Sequence, residues 1–344
     1  MSNKKRNTSM LVQLALLSLT LPGIVHADSE SSLEQWRTKE YKRQPGLDMI
    51  NAAKAYSLGF TGQGVTVGYL DSGIQADHPE FAGAIAGGFD FTSNSLYANG
   101  QGVDTQPPAG HGSHVAGIMG ARRDGAGMHG VAFNSQLFVA AYGMVADDDD
   151  DAAVDDDGDD GDDDNDGTAP TPDDIRAFQD RMLSNGWNYL AQFKLPIINS
   201  SLGLNDCSRS YNPPCHIVDY GSAQSALEAQ PLIIESFKNS AQAGSLMVFA
   251  TGNESQDHPD FLAGSPYWFP ELKDNWLAVT AVGEDGSLAV YANKCGVAAE
   301  WCLTAPGGQW DPGINAVNSD GGYTYKSGTS MAAPHVAGGA ALVK

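Results

Sequence analysis

The sequence predicts an α/β fold in which a mainly parallel central sheet is covered by helices on both faces. Short apolar runs alternate along the chain with longer helical stretches, which is the pattern of strand–helix–strand crossovers. Of the 344 residues, 42% are hydrophobic and 18% are charged, so the chain can bury one large core. Forty glycines indicate many tight turns rather than a helical bundle.

Five short apolar runs bounded by turn residues are predicted to be buried strands. They are residues 65–70, 137–142, 195–199, 246–251 and 276–282. Helices are expected between and after them, at about 111–120, 173–193, 221–243 and 329–343. Sites in parallel sheets lie at the carboxyl ends of the strands, which is where Asp71, Ser201 and Asn253 fall.

The N-terminus is typical of a secretory signal peptide. Basic residues 4–6 precede an apolar run at 10–25, which ends in Val-His-Ala, so we expect a signal peptide at 1–27. A membrane anchor is the alternative, but the run is short and contains proline and glycine. The mature chain is therefore expected to be secreted or exposed at the cell surface. Residues 28–45 are polar and are predicted to form a surface arm before a domain at 46–344.

The charge of the chain excludes one class of function. Lys and Arg number 19 against 42 Asp and Glu, a formal net charge of −23. Residues 147–166 contain 14 aspartates, so the rest of the chain carries about −9. No basic cluster could neutralise a phosphate backbone, and we expect no nucleic-acid partner. After the signal peptide no apolar run is long enough for a transmembrane segment.

Four cysteines form two close pairs along the chain, Cys207 with Cys215 and Cys295 with Cys302. Export favours disulfides, and neither pair has the C-x-x-C spacing of zinc or thioredoxin sites. Two local disulfides are the natural interpretation, although the sequence alone allows three connectivities.

Three local motifs carry the candidate chemistry: residues 71–74 (DSGI), 110–117 (GHGSHVAG) and 327–335 (SGTSMAAPH). A serine hydroxyl becomes nucleophilic when a histidine takes its proton and a carboxylate orients that histidine. The helix start beside Ser330 would add a backbone N–H donor and a positive dipole. Taken singly, the motifs could be a turn, a packing histidine and a helix cap. Together they indicate nucleophilic catalysis by Asp71, His111 and Ser330.

In this Asp…His…Ser order, the motifs resemble the subtilisin-like serine proteases, or subtilases, over residues 47–344. The resemblance implies a three-layer subtilisin-like fold and a serine endopeptidase acting on polypeptides. Asp71 would orient the histidine, His111 would be the general base and acid, and Ser330 the nucleophile. The neighbouring His114 and His335 would be structural. The segment 46–53 and the motif GHGSH are similar to the secreted, autotransporter-type subgroup.

The resemblance also assigns the binding residues. Asn253, in the segment Ala-Thr-Gly-Asn at 250–253, would donate to the oxyanion together with the N–H of Ser330. The segment 198–203 would line the specificity pocket and pair with an extended substrate. The substrate-binding residues are expected to be Ser201, Leu202, Gly203, Ala250 and Gly252. The base of the pocket is expected between Gly252 and Tyr267, and the sequence does not give the preferred substrate residue.

The chain ends 14 residues after Ser330, inside the predicted helix. We therefore expect a peptidase domain truncated at its C-terminus, with any downstream translocator barrel outside this chain. The alternative function is a truncated, inactive subtilase-like scaffold that binds calcium or a basic partner. An α/β-hydrolase esterase would need a Gly-x-Ser-x-Gly elbow and the order Ser…Asp…His, so it is excluded. The chemistry itself requires no cofactor.

The acidic insertion at 147–167 has two interpretations. Adjacent carboxylates repel one another and favour a solvated loop. The glycine-punctuated aspartates are also typical of calcium loops, although the glutamate that closes an EF-hand is missing. In that case calcium would be a structural ion, and its candidate ligands are Asp155, Asp157, Asp159, Asp162, Asp164 and Asp166. A negative rim at the cleft would also favour Lys or Arg in the substrate.

Overall fold

A computed structural model describes residues 33–97, 110–142, 172–204, 216–311 and 313–344. An eight-stranded sheet with the order β3-β2-β4-β1-β5-β6-β7-β8 forms its centre. Its strands are β1 Thr66–Asp71, β2 Ile85–Asp90, β3 Ser95–Tyr97, β4 Gln136–Ala141, β5 Ile197–Ser200, β6 Leu246–Ala250, β7 Trp276–Val282 and β8 Cys302–Pro306. A separate hairpin contains β9 Ile314–Val317 and β10 Tyr323–Lys326.

All neighbouring strands of the large sheet pair in parallel except β2 and β3, which are antiparallel. The predicted parallel sheet is therefore confirmed, and β1, β4, β5, β6 and β7 lie within two residues of the predicted runs. The prediction missed β2, whose Gly87 and Gly88 weaken any strand signal. A Cβ on Gly88 would lie 2.2 Å from the carbonyl oxygen of Val139, so glycine allows β2 to approach β4.

The helices are α1 Lys39–Lys42, α2 Gly46–Met49, α3 Ala52–Ser57, α4 Gly110–Gly120, α5 Pro172–Gln192, α6 Ala223–Ala229, α7 Pro231–Gln242, α8 Phe261–Gly264 and α9 Thr329–Val343. Short 3₁₀ helices cover Pro79–Phe81, Ile217–Tyr220, Ser265–Tyr267, Pro270–Asn275 and Gly296–Ala298.

The prediction of a single helix at 221–243 is wrong. The structure has two helices there, α6 and α7, which are separated at Gln230. Gln230 has φ −136° and ψ 58°, outside the helical region, since the ring of Pro231 disfavours a helical residue before it. The buried Asp180 of α5 then caps α7. Its Oδ1 accepts the N–H of Ile233 at 2.9 Å, and its Oδ2 that of Leu232 at 3.2 Å.

Two hydrophobic clusters lie on opposite faces of the sheet. One contains the buried residues of α4 and α9, and the other those of α5 and α7. Trp187 and Phe237 of the second cluster pack edge-on, with ring centroids 4.7 Å apart. The helix–sheet–helix layering is therefore confirmed, and it places both α4 and α9 on one face.

The surface arm predicted at 28–45 is wrong for its C-terminal part. Tyr41 is 1% exposed and belongs to the core cluster that includes α4 and α9. The side chain of the buried Gln44 accepts the N–H of Leu47 with its Oε1. The same oxygen lies 3.3 Å from Nε2 of His335. The Arg123 guanidinium lies 4.8 Å above the ring of Trp36. This segment is integral to the domain because its aromatic side chains pack against the loop that follows α4.

A disulfide joins Cys295 and Cys302, as predicted, with Cα atoms 5.7 Å apart. The other cysteine pair, the predicted signal peptide and the six candidate calcium ligands of the acidic insertion lie outside the described residues. Within the ranges described, no helix is both long enough and apolar enough to cross a membrane.

The buried carboxylate of Glu80 joins segments that are distant in sequence. Its Oε1 accepts the hydroxyl of Tyr323 at 2.7 Å and the N–H of Met128 at 2.9 Å. Burial is the main cause that raises the pKa of Glu80 to about 7, and the negative charges of Asp124 and Glu40 add to it.

The substitution Glu80→Gln is expected to reduce the pH dependence of stability. Because the folded-state pKa exceeds the ordinary value of 4.5, the native state binds more protons than the unfolded chain between pH 4.5 and about 7. The native protein should therefore lose about 3 kcal/mol of unfolding free energy as the pH rises through this window, and the glutamine variant should not. Urea unfolding at about pH 5 and about pH 8 measures this difference. Substitution of the exposed Glu235 by Gln is the control, and parallel pH profiles for Glu80→Gln and the native protein would contradict the prediction.

Candidate active site

The first part of the site is a carboxylate–imidazole pair. Asp71 is the last residue of β1 and is 1% exposed. Its Oδ1 accepts the N–H of Ser72 at 2.8 Å and lies 2.8 Å from Nδ1 of His111. An ionised carboxylate can only accept, so Nδ1 carries the hydrogen. Nε2 of His111 then bears the lone pair that a general base requires.

The approach of α4 to the end of β1 depends on Gly112. A Cβ on this residue would lie 2.2 Å from the carbonyl oxygen of Gly73 and 3.1 Å from Asp71 Oδ1. Its backbone N–H donates to Ser72 Oγ at 3.0 Å. The residue after the histidine must therefore be a glycine, because any side chain would separate the imidazole from its carboxylate.

The two neighbouring histidines are buried and lie within hydrogen-bond distance of backbone carbonyl oxygens, which fits the structural role expected of them. His114 is fully buried, and its Nε2 lies 3.0 Å from the carbonyl oxygen of Ile314. His335 is also buried, with Nδ1 2.8 Å from the carbonyl oxygen of Met331. Burial lowers the pKa of His114 to about 3 and that of His335 to about 4, so both imidazoles are neutral.

Ser330 is the second residue of α9, the helix that packs against α4, which carries His111. Its hydroxyl donates to the carbonyl oxygen of Ser201 at 3.2 Å. The N–H groups of a first helical turn have no acceptor within the helix. The N–H of Ser330 is one of them, so it can donate to a negative charge that develops beside the hydroxyl.

Asn253 follows β6 and faces the start of α9. Its Oδ1 accepts the N–H and the hydroxyl of Thr329, each at 2.9 Å. A backbone N–H can only donate, so this contact orients the side-chain amide and turns Nδ2 the other way. A Cβ added to Gly328 would lie 3.6 Å from Nδ2, so this amide nitrogen lies beside the turn that precedes Ser330. The sequence predicted Asn253 but not Thr329, because no local pattern marks a residue that orients a distant amide.

The substitution Asn253→Asp is expected to lower kcat by about 100- to 1,000-fold with little change in KM. The aspartate keeps an oxygen that can accept from Thr329, but it replaces the Nδ2 donor by a second acceptor. Steady-state kinetics with a peptide substrate measures the loss. The variant Thr329→Ser keeps the hydroxyl that contacts Asn253 and serves as the control. A kcat near the native value for Asn253→Asp would contradict an oxyanion role.

The predicted substrate-binding residues lie beside Ser330 on two adjacent strands. Ser201, Leu202 and Gly203 continue β5, and only Gly203 of the three is exposed. Ala250 ends β6, and the N–H of Gly252 donates to the hydroxyl of Thr329 at 3.2 Å. The two segments are neighbours because β5 and β6 pair in parallel.

Within the ranges described, no group of three or more His, Cys, Asp or Glu side chains could hold a metal ion. The described part of the site instead contains a carboxylate-oriented imidazole, a serine at a helix start and an oriented amide donor. These are the groups that serine hydrolases use when they act through a nucleophilic hydroxyl.

The chain belongs to the subtilase family, whose model (Peptidase S8) matches residues 62–344. It is 33% identical to an extracellular serine protease of Serratia marcescens, over 90% of this chain and 30% of that protein. A second extracellular serine protease of Serratia marcescens is 30% identical, over 99% of this chain and 34% of that protein. The chain thus spans about a third of the length of these relatives.

Other similarities agree with this assignment. The major intracellular serine protease of Bacillus subtilis (strain 168) is 27% identical, over 87% of this chain and 74% of that protein. The crystal structure of a cold adapted subtilisin-like serine proteinase matches 83% of this chain and 76% of its own, with 25% identity and a TM-score of 0.51. The predicted family resemblance and the three-layer fold are therefore confirmed.

Proposed function

We propose that this chain is a serine endopeptidase that hydrolyses peptide bonds through an acyl-enzyme. The observation that carries the proposal is the pairing of His111 Nδ1 with the buried carboxylate of Asp71 at 2.8 Å. This contact leaves Nε2 of the imidazole as the base, on the helix that packs against the serine-bearing helix.

In the first half of the reaction, Ser330 Oγ transfers its proton to His111 Nε2 and attacks the carbonyl carbon of the substrate. The hydroxyl first leaves the carbonyl oxygen of Ser201 by rotation about its Cα–Cβ bond. The negative oxygen of the tetrahedral intermediate accepts from Asn253 Nδ2 and from the N–H of Ser330. His111 then protonates the departing amine, and the acyl group stays on Ser330.

In the second half, water replaces the amine. His111 Nε2 takes a proton from the water as it attacks the ester carbon, and the same oxyanion donors stabilise the second intermediate. Collapse of this intermediate returns the proton to Ser330 Oγ and releases the carboxylic acid. An extended peptide would align with Ser201, Leu202 and Gly203 during both halves.

We also propose that the protein acts outside the cytoplasm. The signal-peptide pattern at 1–27 supports this, and two similar proteins of Serratia marcescens are extracellular. Membership of the autotransporter-type subgroup, with a downstream translocator barrel as partner, is proposed from the segment 46–53 and the motif GHGSH at 110–114. A structural calcium ion in the acidic insertion remains a proposal based on its aspartate spacing.

The experiment is active-site labelling of the mature chain with a fluorophosphonate, with and without calcium, followed by mass-spectrometric mapping. We expect labelling confined to Ser330 and absent in Ser330→Ala. Circular dichroism and cooperative unfolding establish that both samples are folded. A folded chain that is not labelled at Ser330 would contradict the proposed activity and favour the inactive scaffold. Labelling that depends on calcium would support an ion site, for which deletion of residues 147–166 is the next variant.

A further inference from the structure

Asn293 is a buried asparagine whose side-chain amide makes all of its hydrogen bonds within the protein. It lies in the connection between β7 and β8 and is 0% exposed. Its Oδ1 accepts the backbone N–H of Glu254 at 3.1 Å and that of Gln256 at 2.9 Å. Its Nδ2 donates to the carbonyl oxygen of Thr251 at 3.0 Å and to the carboxylate of Glu254 at 2.5 Å. An amide accepts two hydrogen bonds and donates two, so its capacity is filled and its orientation is fixed.

The partners of Asn293 lie on both sides of Asn253. The backbone N–H of Asn293 donates to the carbonyl oxygen of Gly252 at 3.0 Å, and this carbonyl belongs to the peptide group before Asn253. The N–H of Glu254, which Asn293 Oδ1 accepts, belongs to the peptide group after it. Peptide groups are planar, so the backbone of Asn253 can change only by rotation of these two planes about its Cα. Asn293 is bonded to both planes and therefore fixes both backbone dihedral angles of Asn253.

Asn293 also connects this loop to the central sheet. Its carbonyl oxygen accepts the hydroxyl of Thr251 at 3.0 Å and that of Thr280 at 2.7 Å. Thr280 is a buried residue of β7, so the loop is tied to a strand rather than to another loop. The close approach depends on Gly252, which has φ +100° and where a Cβ would lie 2.4 Å from Asn293 Nδ2.

We propose that Asn293 is a positioning residue for the oxyanion site, which holds the backbone of Asn253 so that Nδ2 faces the negative oxygen of the tetrahedral intermediate. The inference rests on the proposed peptidase function and deepens it. Thr329 orients the side chain of Asn253 through Oδ1, whereas Asn293 orients the backbone on either side of it. Donors stabilise a developing charge only when they are already in place, and a small displacement lowers the rate.

The test is the substitution Asn293→Ala in two backgrounds. It removes the contact to the peptide group after Asn253 and keeps the backbone contact to Gly252. In the native background, we expect kcat to fall about 10- to 100-fold with KM within about twofold, somewhat less than the loss of a whole donor. In the background Asn253→Ala, the same substitution should change kcat by less than about twofold, because no amide is left to position. A merely structural role would give equal losses in both backgrounds.

Asn315→Ala is the matched control. Asn315 is also a buried asparagine that joins distant segments, since its Nδ2 donates to the carbonyl oxygen of Arg43 at 3.1 Å. Its loss should leave kcat unchanged at a temperature where the variant is folded. Equal losses of kcat for Asn293→Ala in the two backgrounds, or native kcat in that variant, would overturn the inference. If Asn293→Ala does not fold, Asn293→Ser keeps a hydroxyl in the buried site and is judged by the same criteria.

A second measurement does not depend on turnover. Hydrogen exchange of the N–H groups of Glu254 and Gln256 should be at least about fivefold faster in Asn293→Ala than in the native chain, and unchanged in Asn315→Ala. Unchanged exchange in Asn293→Ala would contradict the inference even if Ser330 is labelled. Faster exchange in a folded chain that is not labelled would support the role of Asn293 in holding this loop and contradict the peptidase proposal instead.

Discussion

Replacement of His111 by alanine is expected to lower kcat by about 10⁶-fold, an effect as large as loss of the nucleophile Ser330. Without the imidazole, no group takes the proton of Ser330 as the hydroxyl attacks, and none protonates the leaving amine. KM should change little, because the segment proposed to bind substrate, Ser201, Leu202 and Gly203, is untouched. Steady-state kinetics at high enzyme concentration measures both constants.

The double variant His111→Ala/Ser330→Ala tests whether the two residues act as one unit. We expect its kcat to equal that of His111→Ala within error, because a hydroxyl that cannot lose its proton contributes nothing further. The residual rate in both variants would come from the oxyanion donors and substrate positioning. A further large loss in the double variant would mean that Ser330 acts with a different base. His335→Gln is not a suitable control, since that buried ring packs against the N-terminal segment.

A smaller but still large effect is expected for Asp71→Ala, a decrease in kcat of about 10⁴-fold. The carboxylate at 2.8 Å fixes the tautomer of His111 and stabilises the imidazolium that forms during attack. Alanine removes both effects but leaves the imidazole in place, so the loss should be smaller than for His111→Ala.

Asp90→Ala is the matched control for this variant. Asp90 ends β2 as Asp71 ends β1, is equally buried, and accepts the hydroxyl of Ser93 at 2.6 Å and the N–H of Thr92 at 2.8 Å. Its loss should destabilise the fold without a comparable loss of kcat in the folded protein. If both substitutions lowered kcat equally at a temperature where both variants are folded, Asp71 would have no specific role in catalysis.

The sequence predicted the central strands and singled out the candidate catalytic residues because both are encoded locally. The run that became β1 is a continuous apolar stretch closed by a turn, so it forms a buried strand whatever surrounds it. The catalytic motifs are short segments in which one functional residue stands among glycines and small residues. Gly112 is an example. A side chain at this position would clash with Gly73, so the glycine after His111 is a sequence feature that reflects the close contact between α4 and the end of β1.

Errors arose where a local signal was weak or was outweighed by another. The glycines of β2 do not favour a strand, and pairing with β4 overrides that preference. Within 221–243, the apolar pattern of a helix outweighed Pro231 in the prediction, although proline is itself a local signal of a break. The composition of the N-terminal segment predicted a surface arm, yet Tyr41 is buried because its packing partners are distant in sequence.

By itself, the sequence determined the α/β class, the order of the central strands along the chain, the family and the candidates Asp71, His111, Asn253 and Ser330. Only the tertiary structure decided which oxygen of Asp71 faces the imidazole, that Thr329 orients Asn253, and that Asn293 contacts the peptide groups on both sides of Asn253. The physical reason is the range of the interactions. Turns, strands and helix starts depend on neighbouring residues, whereas these contacts join residues about 40 to 80 positions apart and exist only when the strands that carry them pack into one sheet.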